Sequence, residues 1–400
     1  MKSLTGQGFL SVLARSITFV ANIAVLGLLS RFLPTESFGA YTVRFQLALT
    51  LTLLNVFVGG DGLRNALVKS SEPKKMFMSV FYAALIFYLG LAFCVIPLYH
   101  GLISLILLRL PFQISQSAFL ASGKAYIQMK LEALEAIATL ATIYFSIKCN
   151  LAEHDLFVCM RSTALFASAS TFAYLMIYKR WNVCRASVKT GFKTMISFMP
   201  YLLQRIALIS LISIVPFLVA KLAGLTEAGN FNLLYRLFFI LNGVFIVFFT
   251  PMWADYPRAE RDGDEERLWK NFHRATRLTF FFFGLGGAGL ILLHKQILWL
   301  WTGKEISNYT LASWFALFVL IQGLITNLSL LMVGLSQVRK QLQATEIGLS
   351  LHLVVSLTLF EIFQSTGILI GAIIGMIPIT LTCTKEVYDL HQSFARRYTR

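Results

Sequence analysis

Six arginines interrupt runs that are otherwise apolar: Arg15, Arg44, Arg109, Arg161, Arg205 and Arg236. A guanidinium stays charged at any physiological pH, and its planar fork matches the oxygens of a carboxylate or phosphate. At the centre of a bilayer each such cation costs roughly 2.5–3.5 kcal/mol even on a mild insertion scale. Carboxylates in the same apolar runs are sparse: Glu346, with Asp61, Asp255 and Glu361 at the margins. Several of the arginines are therefore expected to line a water-filled cleft, where fixed positive charge selects an anionic ligand. Arg109 is best placed, because Gln113 and Gln116 follow at i+4 and i+7 and give one helix face a polar stripe. Arg205 sits deep in its run, and Arg161 lies a turn or two from an end. Arg15, Arg44 and Arg236 lie near enough to an end to reach the interface instead by snorkelling.

The elements that must carry these side chains follow from composition. The 400 residues are 57% hydrophobic and 14% charged, against about 25% charged in water-soluble domains, so the chain reads as a membrane protein. About 20 apolar residues cross the hydrocarbon as a helix. Twelve segments qualify, near 9–31, 40–60, 76–98, 101–121, 132–148, 156–178, 196–220, 231–254, 278–298, 309–335, 342–362 and 366–384. The first is too long for the apolar core of a cleavable leader, and no small-residue cleavage site follows it. Alternation through twelve spans leaves 24 of the 35 Lys and Arg on the side of the termini, 5 opposite and 6 inside spans. The positive-inside rule then puts both termini in the cytoplasm. The net charge of +16 reads as topology and as contact with anionic headgroups, and a nucleic-acid partner is not expected. The hydrophilic stretch from Asp255 to Arg277 is expected to hold an amphipathic segment on the inner leaflet. The five cysteines have no metal-ligand spacing and read as apolar filler; Cys149 and Cys159 could lie near the same outer surface, which leaves a disulfide between them open.

The stretch RFLPTESFGAY, Arg31 to Tyr41, has an echo in KLAGLTEAGNF, Lys221 to Phe231. At an offset of 190, Arg15 falls on Arg205, Arg31 on Lys221, Gly39 on Gly229 and Tyr41 on Phe231. Six spans separate the members of each pair, so the copies keep one orientation as parallel repeats. Each stretch is expected to be an outer turn, with Pro34 stopping the first helix and Gly39 or Gly229 letting the backbone reverse. The predicted fold is all-α and polytopic: about twelve transmembrane helices in two pseudo-symmetric six-helix bundles around a central cavity. The first lobe is expected over residues 1–190, with a basic linker at its end, and the second over residues 191–400, with a cytoplasmic tail.

The pattern R-F-L-P-x-E-x-F-G-x-Y, its echo at 221–231 and the two sets of six spans resemble the polysaccharide exporters, the Wzx-type O-antigen flippases of the MOP superfamily. The resemblance implies alternating access in a bacterial inner membrane. The cargo it implies is an undecaprenyl-pyrophosphate-linked oligosaccharide, and the implied partners are a polysaccharide polymerase and a chain-length regulator. Arg15, Arg44, Arg109, Arg161, Arg205 and Arg236, with Gln113 and Gln116, are then candidates to hold pyrophosphate or sugar. Asn242, Gln322 and Asn327 would either meet sugar hydroxyls or bond between helices. Glu346 and His352 are candidates to carry a coupling proton, although six positions apart they share a helix face poorly. Nucleotide-binding, dinucleotide-binding, nucleophile and metal motifs are absent from the sequence, so no cofactor or metal is expected and the chain reads as a transporter and not an enzyme. The alternatives are a polytopic O-antigen polymerase or glycosyltransferase, which would need a large external loop, and a small-molecule exporter of the same superfamily.

Overall fold

The computed structural model describes residues 2–52, 61–95, 112, 114–119, 121–122, 125–149, 169–170, 187–253, 255–335 and 338–398. Every regular element among them is helical, as predicted. The longer helices are α1 (Lys2–Phe32), α2 (Thr35–Thr52), α3 (Asp61–Lys69), α4 (Pro73–Val95), α5 (Ala125–Lys148), α6 (Val188–Ser197), α7 (Met199–Leu222), α8 (Leu225–Trp253), α9 (Tyr256–Asp262), α10 (Glu265–Thr279), α11 (Gly286–Thr302), α12 (Tyr309–Gly334), α13 (Arg339–Phe363) and α14 (Ser365–Tyr398). A π-helical segment, Phe280–Leu285, joins α10 to α11. Six helical stretches among the described residues are long and apolar enough to cross a membrane. The expected span at 101–121 lies largely outside the described residues, and that at 156–178 almost entirely so.

Packing divides the chain into one unit of residues 1–28 and 48–205 and a second of residues 29–47 and 206–400. In the first, Ala14 of α1 closes a small core with Met129 and Ala133 of α5. The stretches around 61–75 and 187–197, expected to be basic loops, instead contain the short helices α3 and α6. Both have strongly one-sided hydrophobic patterns, which allow a short helix to persist by packing on a neighbour. Ser187 caps α6 by accepting from the Thr190 amide at 3.3 Å, and its own amide donates to Ser79 Oγ of α4 at 3.1 Å.

In the second unit, α8 meets α12 through an aromatic stripe. Phe231 and Phe238 lie 4.9 and 5.9 Å from Phe315, and Tyr235 lies 6.4 Å from Phe318. One layer further along, Phe245 meets Phe283 at 4.9 Å. Helices α13 and α14 form a close antiparallel hairpin. Gly367, Gly371 and Gly375 repeat every fourth residue along α14, and a Cβ on Gly375 would come within 2.6 Å of the His352 Cβ on α13. Such small-residue spacing lets two membrane helices touch along their backbones.

The repeated motif folds differently from the expectation. Pro34 does divide α1 from α2, but the break falls before the motif glycines, which are both helical. The turn in the second copy falls at Gly224, whose φ of 89° suits a residue without a Cβ. Gly39 and Gly229 serve a close approach instead. A Cβ on Gly39 would overlap the carbonyl oxygen of Leu225, and one on Gly229 would come 2.8 Å from the carbonyl oxygen of Thr35. Thr35 and Leu225 are themselves a pair at the offset of 190, so the two copies meet reciprocally.

Candidate functional site

The intramembrane cations stand in different surroundings. Arg15 projects from α1, and its Nη1 lies 3.0 Å from Glu132 Oε2 on α5, both side chains being mostly buried. The other carboxylate oxygen accepts from the amide of Gln128, one turn earlier. The expectation that carboxylates are too few to neutralise the arginines is corrected at this position: Glu132, at the very start of a span in the sequence reading, supplies the counter-charge. Its signal was the Gln128–Glu132 spacing of four, which puts an amide and a carboxylate on one helix face.

Arg205, the repeat mate of Arg15, lies half-buried in the membrane-spanning helix α7. It makes no hydrogen bond or ion pair with the described residues. Arg236 is half-buried on α8, with its guanidinium 5.9 Å from the centre of the Tyr235 ring and Tyr41 among its electrostatic neighbours. Both tyrosines are buried, and Tyr41 is the last residue of the first motif copy. Aromatic faces accept a guanidinium without cancelling its charge. Gln116 is half-buried in a short helical stretch among buried Ser115 and Ser117. Arg109, Gln113 and Arg161 lie outside the described residues. Arg44 lies on α2, but its side chain is not among those described.

Two cations, Arg31 of the motif and Lys304 beyond α11, hold the segment from Arg31 to Tyr41 in place. Arg31 Nε donates to the Trp301 carbonyl at 3.2 Å, and a second guanidinium nitrogen donates to the Leu300 carbonyl. These are the last carbonyls of α11, which have no partner within their own helix and attract a cation through the helix dipole. Lys304, just beyond that helix end, donates to Thr35 Oγ1 at 3.0 Å and sits 5.7 Å from the centre of the Phe38 ring. Burial against these groups lowers its pKa from the ordinary lysine value.

The side-chain amides of Asn242 on α8 and of Gln322 and Asn327 on α12 are buried. Asn242 continues the stripe of Phe231, Tyr235 and Phe238 that faces α12, and Gln322 continues the stripe of Phe315 and Phe318 that faces α8. Both amides therefore sit between the two aromatic layers, buried to 5% exposure, with a side-chain carbonyl oxygen that accepts no hydrogen bond from the described residues. Asn327 bonds between helices: its amide donates to Thr276 Oγ1 of α10 at 2.8 Å. The two coupling candidates are kept apart, since Glu346 is exposed whereas His352 is fully buried in the α13–α14 hairpin. His352 Nδ1 lies 3.0 Å from Ser356 Oγ, which in turn donates to the Ile368 carbonyl at 3.1 Å. Cys149 is a free, exposed thiol, and Cys159 lies outside the described residues. Among the described residues no cluster of three or more His, Cys, Asp or Glu could hold a metal ion.

No protein-family profile and no curated protein matches the sequence. Solved structures do match the fold. An outward-facing multidrug-resistance MATE transporter of the MOP superfamily superposes with a TM-score of 0.76 at 15% identity, over 96% of this chain and 95% of that one. A MATE structure in complex with MaL6 gives 0.75 at 14% identity, over 98% and 97%. A MOP-superfamily transporter from Pyrococcus furiosus, described as having a binding pocket of reversed polarity that suggests a different function, gives 0.73 at 14% identity, over 98% and 96%. The chain thus has the all-helical fold of these multi-pass membrane transporters.

Proposed function

We propose that this protein moves an anionic amphiphile across a bacterial inner membrane by alternating access, and that its cargo is a pyrophosphate-linked oligosaccharide on a polyprenyl carrier. On this reading residues 1–190 and 191–400 are its two lobes, both termini are cytoplasmic, and the membrane potential, negative inside, favours outward movement of the anion. A polymerase and a chain-length regulator are the partners such a cargo would meet next.

The observation that carries the reading is Arg205: a half-buried guanidinium within a span, with no compensating carboxylate among the described residues. A cation in a span is costly unless water or a ligand meets it, and a guanidinium fork is shaped for phosphate oxygens. Arg236, bounded by aromatic rings, is the second proposed contact. Arg15, neutralised by Glu132, is demoted to a positioning role. Arg109, Gln113, Gln116, Arg161 and Arg44 remain proposed lining residues. His352 is the proposed proton-responsive group of the pair with Glu346, because only His352 is shielded from bulk solvent.

The resemblance of the fold to multidrug MATE transporters favours a second reading, export of small molecules. Fixed positive charge at Arg205 opposes cationic compounds. The two readings separate in cells. Under the first, deletion of the gene makes polyprenyl-linked oligosaccharide accumulate in the inner leaflet. Arg205→Ala then reproduces the deletion at unchanged protein abundance, and Arg205→Lys restores it only in part. Unaltered lipid-linked intermediates with changed drug susceptibility would instead establish the second.

A further inference from the structure

The exposed side of the α10–α11 rod changes character within one turn. On α10, Lys270, Arg274 and Arg277 are exposed at i, i+4 and i+7, one stripe on one face, and none has a hydrogen bond or ion pair with the described residues. The stripe differs from Arg267 on the same helix, whose Nε is held 2.7 Å from Asp255 Oδ2. The opposite face is anchored in the protein: Leu268, Ala275 and Thr279 are buried, Asn271 donates to Asp255 at 2.8 Å, and Thr276 accepts from Asn327 at 2.8 Å. The cationic face is therefore held in a fixed direction.

Beyond Arg277 the same side becomes apolar. Phe280 and Phe281 are exposed to 54% and 60%, and Leu285, Leu292 and Leu300 to between 65% and 71%. The π-helical segment begins at this changeover, and its wider turn allows two successive phenylalanines to point outward. The twenty rises from Phe280 to Leu300 span about 30 Å, which equals the roughly 30 Å hydrocarbon core. The far limit is marked by exposed Trp299 and by Lys295, whose ammonium reaches away to Glu305 at 2.5 Å. If Phe280 lies at the edge of the hydrocarbon, Arg277 lies at phosphate depth, with Arg274 and Lys270 in the next roughly 10 Å, within one Debye length of the surface. On α10 itself the exposed carboxylate on this face is Glu266, which lies a turn further from the membrane.

We propose that Lys270, Arg274 and Arg277 form a binding site for the headgroup phosphates of anionic phospholipids at this end of the span. The site lies on the outer face of one helix and is independent of the transported cargo. Each cation near an anionic surface contributes several-fold to partitioning, so three acting together enrich anionic lipid on the order of a hundredfold.

Full-length protein in nanodiscs of phosphatidylcholine, with or without 30% phosphatidylglycerol, tests this. The readouts are the phosphatidylglycerol retained after delipidation and the thermal unfolding midpoint. Wild type should retain phosphatidylglycerol over phosphatidylcholine and unfold at higher temperature when it is present. The K270Q/R274Q/R277Q variant should lose most of both effects, R274K/R277K should keep most of them, and K221Q, at an exposed lysine outside this face, should match wild type. Equal retention by wild type and the triple variant would overturn the proposal, as would equal protection by inorganic phosphate, which would make the ligand a free anion. If the triple variant fails to fold, Arg277→Gln, at the deepest cation, should alone lower retention several-fold, and no change in that variant would overturn it as well.

Discussion

Arg15 and Arg205 fall on one another at the sequence offset of 190, yet among the described residues only the first has a carboxylate partner. Removing that carboxylate strands a mostly buried cation, so Glu132→Gln is expected to destabilise the protein by about 1–3 kcal/mol, a value between exposed and fully buried pairs. The double variant Arg15→Gln/Glu132→Gln should recover much of the loss, and a double-mutant cycle on thermal unfolding in detergent measures the coupling. Additive effects would mean that the pair does not interact. Arg205→Gln should behave in the opposite manner and leave stability unchanged or raised, because it removes an uncompensated charge. A second residue-scale prediction concerns the motif cation. Arg31→Ala leaves the last carbonyls of α11 without their partner, and about 1 kcal/mol of stability should be lost.

Among the elements, the contact between α2 and α8 depends on two residues that lack a Cβ. Adding one at Gly39 forces it into the Leu225 carbonyl, a backbone atom that cannot swing aside. Gly39→Val is therefore expected to push α2 off α8, to cost several kcal/mol as an overpacked site does, and to lengthen the distance between spin labels at Glu36 and Thr226 measured by pulsed electron resonance. Gly224→Ala is a contrasting case: nothing lies within 4 Å of the added Cβ, but φ is +89°, so about 1 kcal/mol of backbone strain is expected without displacement of either helix. An unchanged label distance in Gly39→Val would show that the contact is not a tight one. The glycine row of α14 has the same logic, and its fourfold spacing was legible in the sequence without revealing that α13 is the partner.

For the molecule as a whole, the proposed topology places the end of α5 outside the cytoplasm. Cys149 is exposed just beyond that end, whereas Cys383 is buried. A variant keeping Cys149 as its only cysteine should react with a membrane-impermeant maleimide added to spheroplasts, and a variant keeping only Cys383 should not. Labelling of Cys149 only after lysis would reverse the orientation drawn from the lysine and arginine count.

Helix existence and limits were largely determined by the sequence, because the demand for about 20 apolar residues acts within one segment. Nine of the twelve expected spans coincide with helices α1, α2, α4, α5, α7, α8, α12, α13 and α14, and a tenth with the rod made by α10, the π segment and α11. The short helices α3 and α6 escaped because their polar halves read as loop until a neighbour covers the apolar half. The close approach at Gly39 and Gly229 involves a motif that was visible at the offset of 190, because a short motif is likewise a local feature. Only the tertiary structure decided which charges are cancelled and which backbones touch. Glu132 neutralises Arg15, and Thr35 meets Gly229, through pairings between helices distant in the chain. Neither hydropathy nor residue type encodes such a pairing, since every apolar helix face is an acceptable partner for every other until shape selects one.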